Sequence, residues 1–145
     1  LKEMLINDSN PRSLMVVDAE GVGSFLESYL NGIKEFHGNG RPLDSRYANL
    51  KAECAYKLAD LINKRAIKIV CTQEQRERIM DELGALKMAD VDNDLKKYDI
   101  IKKEVMKIIL GHSPDYLDML IMSMIFRRVK PSAGASMKVQ TRENG

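Results

Sequence analysis

The chain has no apolar run long enough to cross a membrane. About 18 consecutive residues are needed, and its longest candidate, Leu117 to Phe126, stops at Arg127 and Arg128. It also lacks the charged lead and long apolar run of a secretory signal. Net charge is small, +2 from 23 Lys and Arg against 21 Asp and Glu, so composition alone does not announce a nucleic-acid binder. Cysteine is scarce. Cys54 and Cys71 stand far apart without CxxC spacing, which argues against a disulfide framework or a thiolate metal site and reads as buried, reduced thiols. No Walker A sequence is present, so an ATPase reading is excluded. The "GVG" at Gly21 to Gly23 lacks the spacing of a dinucleotide fingerprint. There are no internal repeats.

What is present is one domain's worth of material: 145 residues, 44% hydrophobic, enough for a real core. "LKEMLIND" opens like the last turns of a helix, with Leu1, Met4 and Leu5 on one face, and reads as the start of a fragment. Then helix and strand patterns alternate. "SLMVVD" (Ser13 to Asp18) is a short apolar run, as in a strand buried on both faces. "VGSFLESYLNG" predicts a helix with Val22, Phe25, Leu26 and Leu30 inward, stopped by Gly32. Ile33 to Phe36 predicts a short strand, and the loop from Gly38 to Pro42 the most flexible element.

The stretch "YANLKAECAYKLADLINKRA" is amphipathic, with Leu50, Cys54, Leu58, Leu61 and Ile62 inward and Lys51, Lys57 and Lys64 outward. Ile67 to Cys71 alternates like a strand. Thr72 to Gln75 forms a capping box that opens a helix with Ile79, Leu83 and Leu86 inward. Ala89 to Asp99 is acidic and turn-like. A strand at Tyr98 to Ile101 and a helix at Glu104 to Leu110 follow, the helix stopped by Gly111. The last helix is expected to start with Ser113 as N-cap, Pro114 at its first position and Asp115 in its first turn, with Met119, Met122 and Met124 packed along it. Residues 131–145 read as a flexible tail. The class is α/β.

Two places carry chemistry. Asp18 ends a strand before a glycine-rich turn, the location where active sites of open α/β sheets form; capping that turn is the plainer role. At the other, His112, Asp115 and Asp118 crowd the mouth of an apolar helix. Acids there complement the helix dipole, but an imidazole with carboxylates also suits Mg²⁺ or Mn²⁺. With Asp18 from a neighbouring strand, the set becomes a candidate two-metal phosphodiester-cleaving site.

These pieces, "VVDAEGVG", "RYANLKAECAYKLADLI" and above all "KKEVMKIILGHSPDYLDML", resemble the nuclease domain of the large terminase subunit of tailed bacteriophages. The resemblance implies a ribonuclease H-like mixed sheet flanked by helices, spanning residues 1–130 and lacking the first strands together with the family's first acid. It implies metal-dependent cleavage of double-stranded DNA at packaging, in the cytoplasm of a host bacterium, with Mg²⁺ or Mn²⁺ as cofactor. By it, Asp18, Asp115 and His112 are catalytic and metal-binding, and Asp118 and Glu20 are supporting ligands. The terminase small subunit and the portal become expected partners, as does an upstream part or a second copy that would cover an open strand edge. Lys102, Lys103, Lys107, Arg127, Arg128 and Lys130 are candidate DNA contacts, through phosphate charge alone. Two other readings stay open: a non-catalytic DNA-binding or assembly remnant, and another ribonuclease H-like nuclease such as a resolvase.

Overall fold

The structure, a computed structural model, describes residues 11–20, 29, 31–89 and 97–128. The helical opening at Leu1 to Asp8, the helix expected from Val22, most of the acidic turn, Lys130 and the tail lie outside the described residues. The class is α/β: strands β1 (Val16–Asp18) and β2 (Lys34–Phe36), then helices α1 (Leu50–Asn63), α2 (Gln73–Ala85), α3 (Lys103–Leu110) and α4 (Asp115–Ser123). β1 and β2 pair in parallel, Asp18 opposite Phe36, so both strands end at the same edge. A mixed sheet was expected; among the described residues this pair is the only ladder, with single bridges Tyr47–Tyr98 (parallel) and Met88–Ile100 (antiparallel).

Several strand expectations need correction. Residues Arg12–Leu14 form a 3₁₀ turn, so only the last part of the first run is extended. Its valines are half-buried rather than covered on both sides. Ile67 to Cys71 keeps its alternation, with Ile67 and Ile69 against the core, but finds no ladder partner among the described residues. Cys71 is exposed, while Cys54 is buried. Tyr98 to Ile101 makes only the two bridges.

The helices follow their patterns more closely. All the early amides of α1 are satisfied, as a helix start requires. The Asn49 side chain accepts from the Ala52 N–H at 2.8 Å, and the Leu50 and Lys51 N–H groups donate to the carbonyls of Gly40 and Gly38 at 2.9 Å. The Gly38 to Pro42 loop, expected to be the flexible one, is therefore tied to the helix. A further turn bond, Gly40 N–H to the His37 carbonyl at 2.8 Å, brings the chain so close that a Cβ on Gly40 would meet that oxygen at 2.8 Å.

α1 ends in a full Schellman motif: Ala66 N–H to Leu61 O at 2.8 Å and Arg65 N–H to Ile62 O at 2.9 Å, with Arg65 at φ 53°. α2 opens with the expected capping box between Thr72 and Gln75. α3 stops at Gly111, φ 75°. The core lies where α1, α2 and α4 meet, around the fully buried Leu58, Leu117 and Ile121; each such side chain contributes about 1.5–3 kcal/mol. Met124 and Met122 pack there, but Met119 is 49% exposed, outside the core position expected for it.

The start of α4 differs in kind from the sequence reading. Ser113 does not cap it, Pro114 occupies the cap position, and no cap side chain bonds the first turn. Instead the carboxylate of Glu82, on α2, accepts the Leu117 N–H at 2.8 Å. Glu82 is 0% exposed. Its charge is met by the positive end of α4 and by Arg78 Nε at 3.4 Å, with His112 Nδ1 at 3.9 Å.

Candidate active site

The edge where β1 and β2 end opens into a cavity of about 500 Å³. β1 delivers Asp18 to it, with Glu20 just after; the loop beyond β2 adds Asn39; α1 adds Lys51. The segment entering α3 brings Asp99, Lys102, Lys103 and Glu104, and α4 brings Asp118. Five carboxylates thus face three ammonium groups, leaving a formal charge of −2. Phe36, Ile121 and Met122 form apolar lining.

Asp18, Glu20 and Asp118 each have defined partners. Asp18 Oδ1 accepts the Glu20 N–H at 3.0 Å, the turn-capping role its position allows. Glu20 grips Asn39, accepting from its backbone N–H at 2.8 Å and its side-chain amide at 3.0 Å. Asp118 is the charge centre: one oxygen accepts from Lys51 Nζ at 2.8 Å and the other from Lys103 Nζ. Burial pushes the Asp118 carboxyl upward, but the two ammonium groups outweigh it and hold the pKa below the ordinary value. For Lys103, burial works against the charge, yet the charges of Asp118, Asp115 and Asp18 raise its pKa overall. Lys103 stands at the first residue of α3, where the helix dipole disfavours a cation; the acids hold it there.

Of the residues singled out in the sequence, Asp18, Glu20, Asp118, Lys102 and Lys103 line this one cavity. Asp115 and His112 do not. Asp115 is exposed, one turn before Asp118, and acts on the cavity through its charge on Lys103. His112 turns its Nδ1 to the Ser113 carbonyl at 2.8 Å, toward the Glu82 side. The proposed five-ligand set is therefore not assembled: among the described residues no group of three or more His, Cys, Asp or Glu side chains could hold a metal ion. Lys107 is exposed on α3, and Arg127 and Arg128 line a different cavity.

Sequence reasoning missed Lys51, placed outward, and Glu82. Both carried a signal. Lys51 precedes Cys54, Ala55 and Leu58 at helical spacing, on the inward face, and Glu82 follows Ile79 and precedes Leu86 in the same way.

The fold and site thus define an α/β domain with acids gathered at the carboxyl edge of a parallel strand pair. Solved structures share that fold. A lysine-to-alanine mutant nuclease domain of the large terminase subunit gp2 of bacterial virus Sf6, with manganese, superposes with TM-score 0.67 at 21% identity, covering 85% of this chain and 69% of its own. The unmutated Sf6 nuclease domain gives 0.65 at 21% identity, covering 85% and 68%. A third, with manganese and beta-thujaplicinol, gives 0.67 at 20%. No family model and no curated protein matches the chain. The expected fold is borne out by these neighbours.

Proposed function

We propose that this chain is a nuclease domain of a phage or prophage terminase large subunit, hydrolysing phosphodiester bonds of double-stranded DNA. The observation that carries the reading is the meeting of Asp18, Glu20 and Asp118, from strand end, turn and helix, in one cavity of net negative charge within this fold. Lys51, Lys102 and Lys103 would meet the DNA phosphates; Lys107, exposed further along α3, would extend that contact.

A divalent cation belongs to the reading, since the Sf6 nuclease-domain neighbours hold manganese and calcium. The donors suit it in kind: hard carboxylate oxygens fit Mg²⁺ or Mn²⁺. They do not suit it as arranged, because Lys51 and Lys103 already satisfy both oxygens of Asp118. A bound metal would have to take the place of an ammonium. That same observation favours the second reading, a DNA-binding or assembly domain without catalysis, in which the lysines neutralise Asp118 permanently.

Plasmid nicking and linearisation in Mn²⁺ and Mg²⁺ separates the two. Cleavage by the chain that disappears in folded Asp18→Asn and Asp118→Asn supports the nuclease. Loss in Asp115→Asn with Asp118→Asn still active moves the site to the exposed rim beside His112. No cleavage, with duplex DNA still bound, supports the non-catalytic reading.

A further inference from the structure

Across α1 from the acidic cavity lies a second one, of about 420 Å³, and the two share no lining residue. A helix turns about 100° per residue, so Asp60, which lines the second, looks away from Lys51, which lines the first.

The charge balance is inverted. Asp44, Glu53 and Asp60 stand among Arg46, Lys57, Lys64, Arg127 and Arg128, leaving a formal +2. The three acids are already engaged. Asp44 holds Arg46 at 2.6 Å, Asp60 holds Lys64 at 2.8 Å, and Glu53 holds Arg128 at 3.4 Å and accepts the Leu43 N–H at 3.0 Å. Lys57 and Arg127 enter no ion pair among the described residues. Arg128 Nε is buried with no hydrogen-bond acceptor among the described residues, an arrangement that a protein interior rarely leaves standing.

Flat rings complete the lining. Tyr47 and Tyr56 sit with centroids 5.4 Å apart, tilted by 48°, and Tyr98 braces them at 6.0 and 5.6 Å. Burial raises the pKa of both lining phenols, so they stay neutral.

We propose that this second cavity binds a nucleotide unit, its phosphate on Lys57, Arg127 and Arg128 and its base against Tyr47 and Tyr56. Cations alone would serve any anion, an acidic peptide included. Rings beside cations are what a base joined to a phosphate calls for. The proposal does not rest on cleavage: its residues and its ligand chemistry are separate from those of the acidic cavity.

Titration calorimetry of the intact chain tests it, with inorganic phosphate, a deoxynucleoside monophosphate, a short duplex and a poly-glutamate peptide as probes. The comparison variant is Lys57→Glu/Arg127→Glu, both exposed positions, with circular dichroism as a fold control. Saturable nucleotide binding, tighter than phosphate and weakened about tenfold or more by the reversal, supports a free nucleotide as ligand. The same loss seen for the duplex alone supports a unit within DNA. Binding that ignores the reversal, no binding of either nucleotide probe, or tighter binding of poly-glutamate overturns the proposal. Asp118→Asn, which touches none of the second cavity's lining, should leave binding of the deoxynucleoside monophosphate there unchanged, which keeps it distinct from the nuclease test.

Discussion

The Leu117 backbone N–H donates to the carboxylate of Glu82 at 2.8 Å, so α2 supplies the cap that α4 lacks in its own sequence. Removing that carboxylate orphans a buried donor and leaves Arg78 without its partner. Glu82→Ala should therefore cost about 2–3 kcal/mol, read from urea unfolding midpoints. Glu82→Gln, which can still accept the bond, should cost clearly less. Equal loss in both variants would assign the effect to the charge rather than the cap.

Asp118 offers a pH-dependent prediction. Its folded pKa lies below the ordinary value of 3.8, so the ion pairs stabilise the fold above that value and fade as pH falls through the lowered one. With EDTA present, the wild type should outlast Asp118→Asn by about 1 kcal/mol at pH 6. The gap should close as the solution is acidified below pH 4 or so. A gap that persists at low pH would mean that packing, not charge, accounts for it.

Lys103 competes with any cation for Asp118. Lys103→Ala takes the cavity from a formal −2 to −3, and Mn²⁺ affinity, measured by calorimetry, should rise roughly tenfold. Unchanged affinity would place cation binding elsewhere on the chain.

Arg65 carries a left-handed backbone at φ 53° to close α1, a conformation that costs a side-chain-bearing residue about 1 kcal/mol. Arg65→Gly relieves it while keeping both Schellman bonds. The thermal midpoint should rise by a few degrees; a fall would show that the arginine side chain matters more than the strain.

How legible was this in the sequence? α1, α2 and α3 were readable because helices are local: apolar spacing, the Thr72–Gln75 box and Gly111 act within a few residues. The strands at Ile67 to Cys71 and Tyr98 to Ile101 were over-read, because alternation reports burial while a ladder needs a partner distant in sequence. Asp18 and Asp118 could be nominated from their neighbours. That Lys51 and Lys103 would both converge on Asp118 could not, since the three residues come from three elements and only the packed fold joins them. The same holds for His112, whose Nδ1 comes within 3.9 Å of Glu82 only because α2 packs beside the start of α4.

The loop after β2 gives up its carbonyls to the first amides of α1, and its Asn39 to Glu20. Strand end, acid and helix start are thereby wired into a single strut. These bonds hold one wall of the acidic cavity to the start of α1, so a ligand that meets Glu20 or Asn39 there finds groups already placed and less ordering to be done on binding.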